Sequence, residues 1–344
     1  MRTCYRLFLF LLAATFLTAC VPGKAATPVR TAAALSFPAT ATATAASTET
    51  MAAPLPTATP TQTPTLTPAP ALAPAFPPQV DCEAIFCEVS WQGLFARPIG
   101  PEGVQTIDLT YPYANTRNGT LAPHHGVEFP NGTGTPVLAA QDGEVVFAGT
   151  DDLIVLGPAT GFYGNLVILR HAGLFEGRDL YTLYAHLSAI DVNEGQEVAL
   201  GDRIGAVGLS GAANGSHLHF EVRLDENDYA HTTNPVLWLG PIDGNGGEAG
   251  SMLAGVLLDP YSRPVDLTTL ELDRVGRDGT VLQTYYPVTY FPSGVNANPI
   301  LNENFVFPDL PPGDYRLNYI WDRYYNFDFS LSAGNLGFIK IQLD

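Results

Sequence analysis

An antiparallel all-β fold is predicted for the ordered part of this chain, and three observations predict it. Between Val104 and Leu239, short β-branched and aromatic runs are punctuated by turn residues. No segment in that stretch sustains a helical period, and beyond Ser251 the strand-like alternation resumes. The expected architecture is one antiparallel β-sheet domain over residues 80–240 and a smaller β-sandwich over 251–344, divided by the glycine-rich string Gly240 to Gly250.

The first residues read differently. Arg2 and Arg6 precede an apolar run from Leu7 to Leu17, the pattern of an export signal over residues 1–19. That run is shorter than the ~20 residues a membrane-spanning helix needs. Leu17-Thr18-Ala19-Cys20 resembles the bacterial lipobox, which implies cleavage before Cys20 and lipid on its sulfur. From Ala25 to Pro78 the chain is almost entirely Ala, Thr and Pro, with too little apolar surface to fold. Residues 20–79 are therefore expected to be a tether that holds the folded part away from a membrane outside the cytoplasm.

Within the folded part, Thr135–Ala140 and Glu144–Ala148 flank Asp142-Gly143, a tight hairpin signal. Further strands are expected at Asn165–Arg170, Leu180–His186, Glu197-Val198, Arg203–Val207 and His217–Arg223. In the last part, Asn304–Phe307 and Tyr315–Tyr319 alternate on either side of Pro308–Asp314, a run read as a turn. The Leu-Pro-Pro-Gly-Asp-Tyr phrase resembles carboxypeptidase-regulatory-like modules of secreted bacterial proteins. No histidine or cysteine lies beyond His231, so a binding or spacer role is expected there.

The formal net charge is −18, which argues against nucleic-acid binding and favours solubility outside the cell. Of the four cysteines, Cys4 and Cys20 belong to the signal and the lipid site. Cys82 and Cys87 remain, and in an oxidising compartment they are expected to form a small disulfide loop.

Chemistry concentrates in three strings: Pro123-His124-His125-Gly126-Val127-Glu128-Phe129, Tyr184-Ala185-His186-Leu187-Ser188 and Gly215-Ser216-His217-Leu218-His219-Phe220-Glu221. Catalytic zinc usually takes three side-chain ligands of the His and carboxylate type and leaves a position for water. His124, Glu128 and His219 can supply those three, leaving His186 and His217 for proton transfer. Residues two apart on a strand share a face, so His217 and His219 project together, while Leu218 and Phe220 read as core. His124 and Glu128 pose a geometric problem, because four extended residues separate side chains by roughly 13 Å. The chain is expected to bend at Gly126 into a turn or irregular loop, since Pro123 and Pro130 disfavour a helix carrying both. His125 is expected to point away from the metal if the local backbone is extended, either at the rim of the site or behind its ligands. His171 is read as a loop residue, His231 has no assigned role, and Glu221 is expected to orient a neighbouring loop or ligand.

From Pro123 to Glu221 the chain resembles the lysostaphin/LytM-type zinc metalloendopeptidases of the cell wall. The matches run in order: Gly134-Thr135-Pro136-Val137, Asp142-Gly143, Tyr184 to Ser188, Gly195 to Val198, Gly201 to Gly205 and the His217 string. The resemblance implies one Zn2+ held by His124, the residue at 128 and His219, with His186 and His217 as the catalytic pair. It also implies peptide bonds of peptidoglycan as substrate. One position departs, since the family carries Asp where this chain has Glu128. An alternative within the same resemblance is a catalytically silent wall-binding or amidase-regulating module.

Overall fold

The computed structural model describes residues 85–117, 119–242, 249–290 and 294–344. The expected signal, lipid site, tether and Cys82 lie outside the described residues, while Cys87 is disulfide-bonded. Among the described residues there is no α-helix, and none of their helices is long and apolar enough to cross a membrane.

In chain order the first half carries β1 (Phe86–Ser90), β2 (Val127–Phe129), β3 (Pro136–Leu138), β4 (Gly143–Thr150) and β5 (Asn165–Phe175). It continues with β6 (Arg178–Ala185), β7 (Leu187–Ile190), β8 (Glu197–Val198), β9 (Arg203–Val207), β10 (Leu218–Leu224) and β11 (Thr232–Thr233). The second half carries β12 (Ser251–Leu258), β13 (Glu271–Val275), β14 (Val281–Tyr285), β15 (Phe305–Leu310), β16 (Gly313–Ile320), β17 (Tyr324–Leu331) and β18 (Asn335–Gln342).

The seven-stranded sheet that carries the histidines runs β11-β10-β6-β5-β4-β8, with β2 pairing on the His219 end of β10. All its pairings are antiparallel, as the alternation predicts. A separate three-stranded sheet runs β3-β9-β7. In the second half, β1-β18-β12-β15 and β14-β13-β16-β17 form two four-stranded sheets. Leu253, Phe307 and Ile339 of the first and Leu272, Leu317 and Phe329 of the second share one apolar core, each side supplying alternate residues of its strands.

Three local expectations are corrected. Asp142-Gly143 does not close a hairpin between β3 and β4, since β3 pairs with β9 and β4 with β5 and β8. The two-residue turn of the expected type needs positive φ at both positions, and neither residue has it. Instead Asp142 Oδ1 accepts from Leu200 N at 2.7 Å, and Gly143 passes so close to Arg170 O that a Cβ would stand 2.8 Å from it. His171 is not in a loop, because β5 runs four residues beyond it; its buried ring contacts Asp142 O (2.7 Å) and Thr182 Oγ1 (2.8 Å). Pro308–Leu310 belongs to a strand rather than a turn. The strand tolerates proline because β15 is the edge of its sheet and bulges there, four residues from Phe307 to Leu310 facing three from Ser251 to Leu253.

The halves are joined through their interiors. Met252, Ala254, Leu336 and Phe338 belong to the same buried cluster as Trp91, Phe220, Leu237 and Trp238. Arg97 Nη2 pairs with Asp309 Oδ1 at 2.6 Å in a nearly solvent-free setting, and Asp309 Oδ2 also accepts from Ile107 N. Strand β1, from the N-terminal side, completes a sheet with β18, from the C-terminal end.

Candidate functional site

Strand β10 organises the site by its period of two. Leu218, Phe220, Val222 and Leu224 face the apolar interior, and the alternate side chains His217, His219, Glu221 and Arg223 share the opposite face. Strand β2 lies against its start with Glu128 directly opposite His219. Between His124 and Glu128 the chain bends at Gly126, as expected, and then enters a strand rather than an irregular loop. Glycine is required at 126 by crowding, because a Cβ there would stand 2.5 Å from His219 Cε1 and 2.7 Å from Phe220 O.

His124 Nε2, Glu128 Oε1 and His219 Nδ1 form a triangle with edges of 3.0, 3.1 and 3.3 Å. A tetrahedral ion with ligand bonds of about 2.0–2.2 Å spaces its ligands by roughly 3.3–3.5 Å, so these three atoms fit one zinc-sized cation. The ring orientations agree. His124 Nδ1 faces Pro112 O at 3.3 Å and His219 Nε2 faces Glu221 Oε1 at 3.0 Å, which places the ring protons there and turns a lone pair from each ring into the triangle. The three are buried together and could hold a metal.

Glu221 and Arg223 support His219 from beneath. Arg223 donates to Glu221 Oε2 at 2.8–2.9 Å, and Tyr163 OH donates to Glu221 Oε1 at 2.5 Å. Tyr163 is set by buried Asp151, whose carboxylate accepts from Tyr163 N and Gly164 N. Burial opposes charge on Glu221, but Arg223 and His219 outweigh it and bring its carboxyl down to about 2.

Charge within the triangle is tightly balanced. Burial raises the Glu128 carboxyl, yet the imidazoles around it, His219 first and then His124 and His217, hold it well below the usual carboxylate range. Burial likewise disfavours a cationic His219, but its two flanking carboxylates, Glu128 and then Glu221, push it up to about 10. A divalent cation therefore competes with that proton for the same carboxylate field.

His186 and His217 stand beside the triangle, their rings 4.9 Å apart. His186 sits between β6 and β7 at a φ of 61°, a left-handed kink. Its Nδ1 lies 2.9 Å from Ser210 O and 3.1 Å from Tyr163 O, so it donates there and leaves Nε2 as the acceptor. His217 Nδ1 donates to Gly215 O at 2.7 Å, and its Nε2 lies 3.0 Å from Glu128 Oε2, within ion-pair range but off the hydrogen-bonding direction. Burial lowers His186 to about 4, whereas Glu128 overcomes the burial of His217 and raises it.

All five residues read from the sequence thus converge, and a cleft of about 600 Å³ opens over them. His125 turns to the rim and stacks on Tyr229 at 3.7 Å, with Nδ1 2.6 Å from Thr232 Oγ1. His231 is exposed and meets only Asp228 among the described residues. Tyr163, Asp151 and Tyr111, which stacks on His124 at 4.1 Å, escape the sequence reading because they lie in loops without a period. Arg223 was within its reach, since it continues the His217, His219, Glu221 alternation by one more step.

The family model described as peptidase family M23 matches residues 122–232, the stretch that contains His124, Glu128 and His219 and both flanking histidines. Residues 122–232 form an M23 peptidase domain. Over 113 residues the chain is 41% identical to the DD-carboxypeptidase/endopeptidase Mpg of Neisseria meningitidis serogroup B, covering 33% of this chain and 22% of that protein. It is 38% identical over 102 residues to the peptidoglycan DD-endopeptidase ShyA of Vibrio cholerae serotype O1, covering 30% and 20%. The uncharacterized lipoprotein YgeR of Escherichia coli is 32% identical over 136 residues, covering 40% and 45%. The chain spans about a fifth of the length of the first two and under half of the third. The M23 domain is thus the shared part, and the second half of this chain lies outside the matched family segment.

Proposed function

We propose that the protein is a zinc-dependent endopeptidase that hydrolyses peptide bonds of peptidoglycan at the outer face of a membrane, tethered through lipid on Cys20. The observation that carries this reading is the triangle of His124, Glu128 and His219, open to a cleft that His186 and His217 also line. Membership of residues 122–232 in the M23 family supports it, as do the names of the relatives. The lipobox-like Cys20 and the lipoprotein relative support the location.

His124, Glu128 and His219 would hold the ion, which when bound polarises a scissile carbonyl and acidifies an attacking water. His186, neutral at pH 7 and fixed with its proton on Nδ1, takes the water's proton at Nε2. His217, raised by Glu128, offers a proton from Nε2 to the carbonyl oxygen as it becomes charged and then to the departing amine. Glu221 keeps His219 in the tautomer that presents Nδ1.

The test is metal content of the purified protein together with release of peptides from peptidoglycan by wild type and His217→Ala. One zinc per chain, release by wild type, and its loss on chelation or in His217→Ala are the expected results. Absence of both metal and release in wild type leaves the silent wall-binding or amidase-regulating module.

A further inference from the structure

Arg117 is the one arginine or lysine among the described residues that line the cleft. It has no ion-pair partner among the described residues, whereas seven other arginines pair with carboxylates. Arg274, Arg277 and Arg323 are likewise without an ion pair among the described residues but do not line the cleft, so what sets Arg117 apart in a chain of net charge −18 is an unpaired cation at that place.

Its position is built. The guanidinium lies over the Tyr111 ring, 4.7 Å from the centroid, and Tyr111 stacks in turn on His124. The backbone at Arg117 is held at a φ of 47°, with its N–H donated to Asn115 Oδ1 and its carbonyl accepting from Thr120 Oγ1. Leu121 N closes the same loop onto Thr116 O. The loop is fastened at its base by Tyr113, whose hydroxyl donates to Asn296 O at 3.0 Å and accepts from Asn296 N at 3.2 Å.

We propose that Arg117 is a carboxylate-binding subsite that selects peptides carrying a free carboxylate close to the scissile bond. The inference rests on reading the cleft as a peptidase site and adds the substrate group it prefers. One ring, Tyr111, separates the guanidinium from His124 by two stacking steps of 4.7 and 4.1 Å, and an extended peptide advances about 3.4 Å per residue, so the recognised carboxylate sits about two to three residues from the bond cut. The planar fork of the guanidinium matches a carboxylate in two parallel hydrogen bonds. The other acids of the cleft sharpen the choice. Glu128 and Glu221 are engaged by histidines and Arg223, and Asp108 accepts from Thr110 N, so away from the histidine cluster Arg117 is the one cation among the described lining residues that can meet a substrate carboxylate.

The test compares a cross-linked stem-peptide dimer isolated from peptidoglycan with the same dimer after its carboxylates are amidated. Zinc-loaded wild type, Arg117→Lys and Arg117→Ala are assayed, and zinc content is checked in each. In wild type amidation is expected to raise KM on the order of 10-fold, the effect of losing one charge-assisted contact, with a smaller change in kcat. That ratio is expected to collapse toward one in Arg117→Ala and to persist in part in Arg117→Lys. Equal ratios in wild type and Arg117→Ala overturn the proposal. Calorimetric binding of both dimers to zinc-loaded His217→Ala, with and without Arg117→Ala, keeps the question separate from turnover. If wild type cleaves neither dimer the peptidase reading fails, and the binding ratio alone then sustains or overturns the role of Arg117.

Discussion

Shortening Glu128 to the aspartate that the family resemblance leads one to expect there should harm this site rather than restore it. Glu128 Oε1 already stands 3.0–3.1 Å from the His124 and His219 nitrogens, and three consecutive pairings hold β2 on β10. Removing a methylene withdraws the oxygen by about 1.5 Å, and the paired strand cannot advance to recover it. Glu128→Asp should therefore weaken zinc binding about 10-fold or more in a competition titration against a chromophoric chelator; tighter binding would show that β2 yields. The same variant withdraws Oε2 from His217. The presence of this carboxylate in the site was legible from residue types and spacing, but its reach was not, because strand pairing with β10 sets it.

At the scale of the element, β10 explains both what sequence reasoning recovers and what it misses. Its alternation of Leu218, Phe220 and Val222 with His217, His219 and Glu221 is visible in the letters, and the strand forms with those faces. Further along the face that carries the histidines, Glu221 and Arg223 form an ion pair whose side chains are fully shielded from solvent. Glu221→Gln leaves Arg223 charged without its partner, which costs about 3–5 kcal/mol. It also releases His219 from its fixed tautomer, lowering metal affinity about 10–100-fold. Denaturant midpoints and zinc titrations on the same protein should register both losses. Elements whose partners are far off in the chain were not legible: β3 finds β9 rather than its neighbour β4, and β1 finds β18 across most of the folded chain. Periodicity reveals which face of a strand is buried and is silent on which strand lies beside it.

Across the whole molecule, the two halves meet at polar and apolar contacts alike, and each kind predicts a measurement. Glu303 is fully buried, accepts from Tyr290 OH and Asn298 N, and connects through Tyr290 to Asn234 of the first half. Burial raises its carboxyl from 4.5 to about 7. The folded state thus holds a proton that the unfolded chain releases, so this group's contribution is intact below pH 4.5 and is lost as pH rises through 7. The amount is about 3 kcal/mol, and Glu303→Gln lacks it. Thermal midpoints should diverge in favour of Glu303→Gln between pH 4.5 and 7.5; a constant difference would place the charge elsewhere. A fragment ending at Gly240 strips Met252, Leu336 and Phe338 from the core around Trp91 and Trp238. Near-ultraviolet circular dichroism of that fragment should show no cooperative transition, because the core it leaves behind is open on one side.

The pairing of β1 with β18 also decides how the molecule bears tension. Five residues, Phe86 to Ser90, lie antiparallel along Leu336 to Ile339 and Asn335. A pull applied to the chain ahead of Phe86 loads these rungs in shear, and β18 passes the strain to β12, with which it shares seven paired positions. The mechanical path thus enters through the C-terminal sheet, whereas His124, Glu128 and His219 are set by β2 and β10 of another sheet.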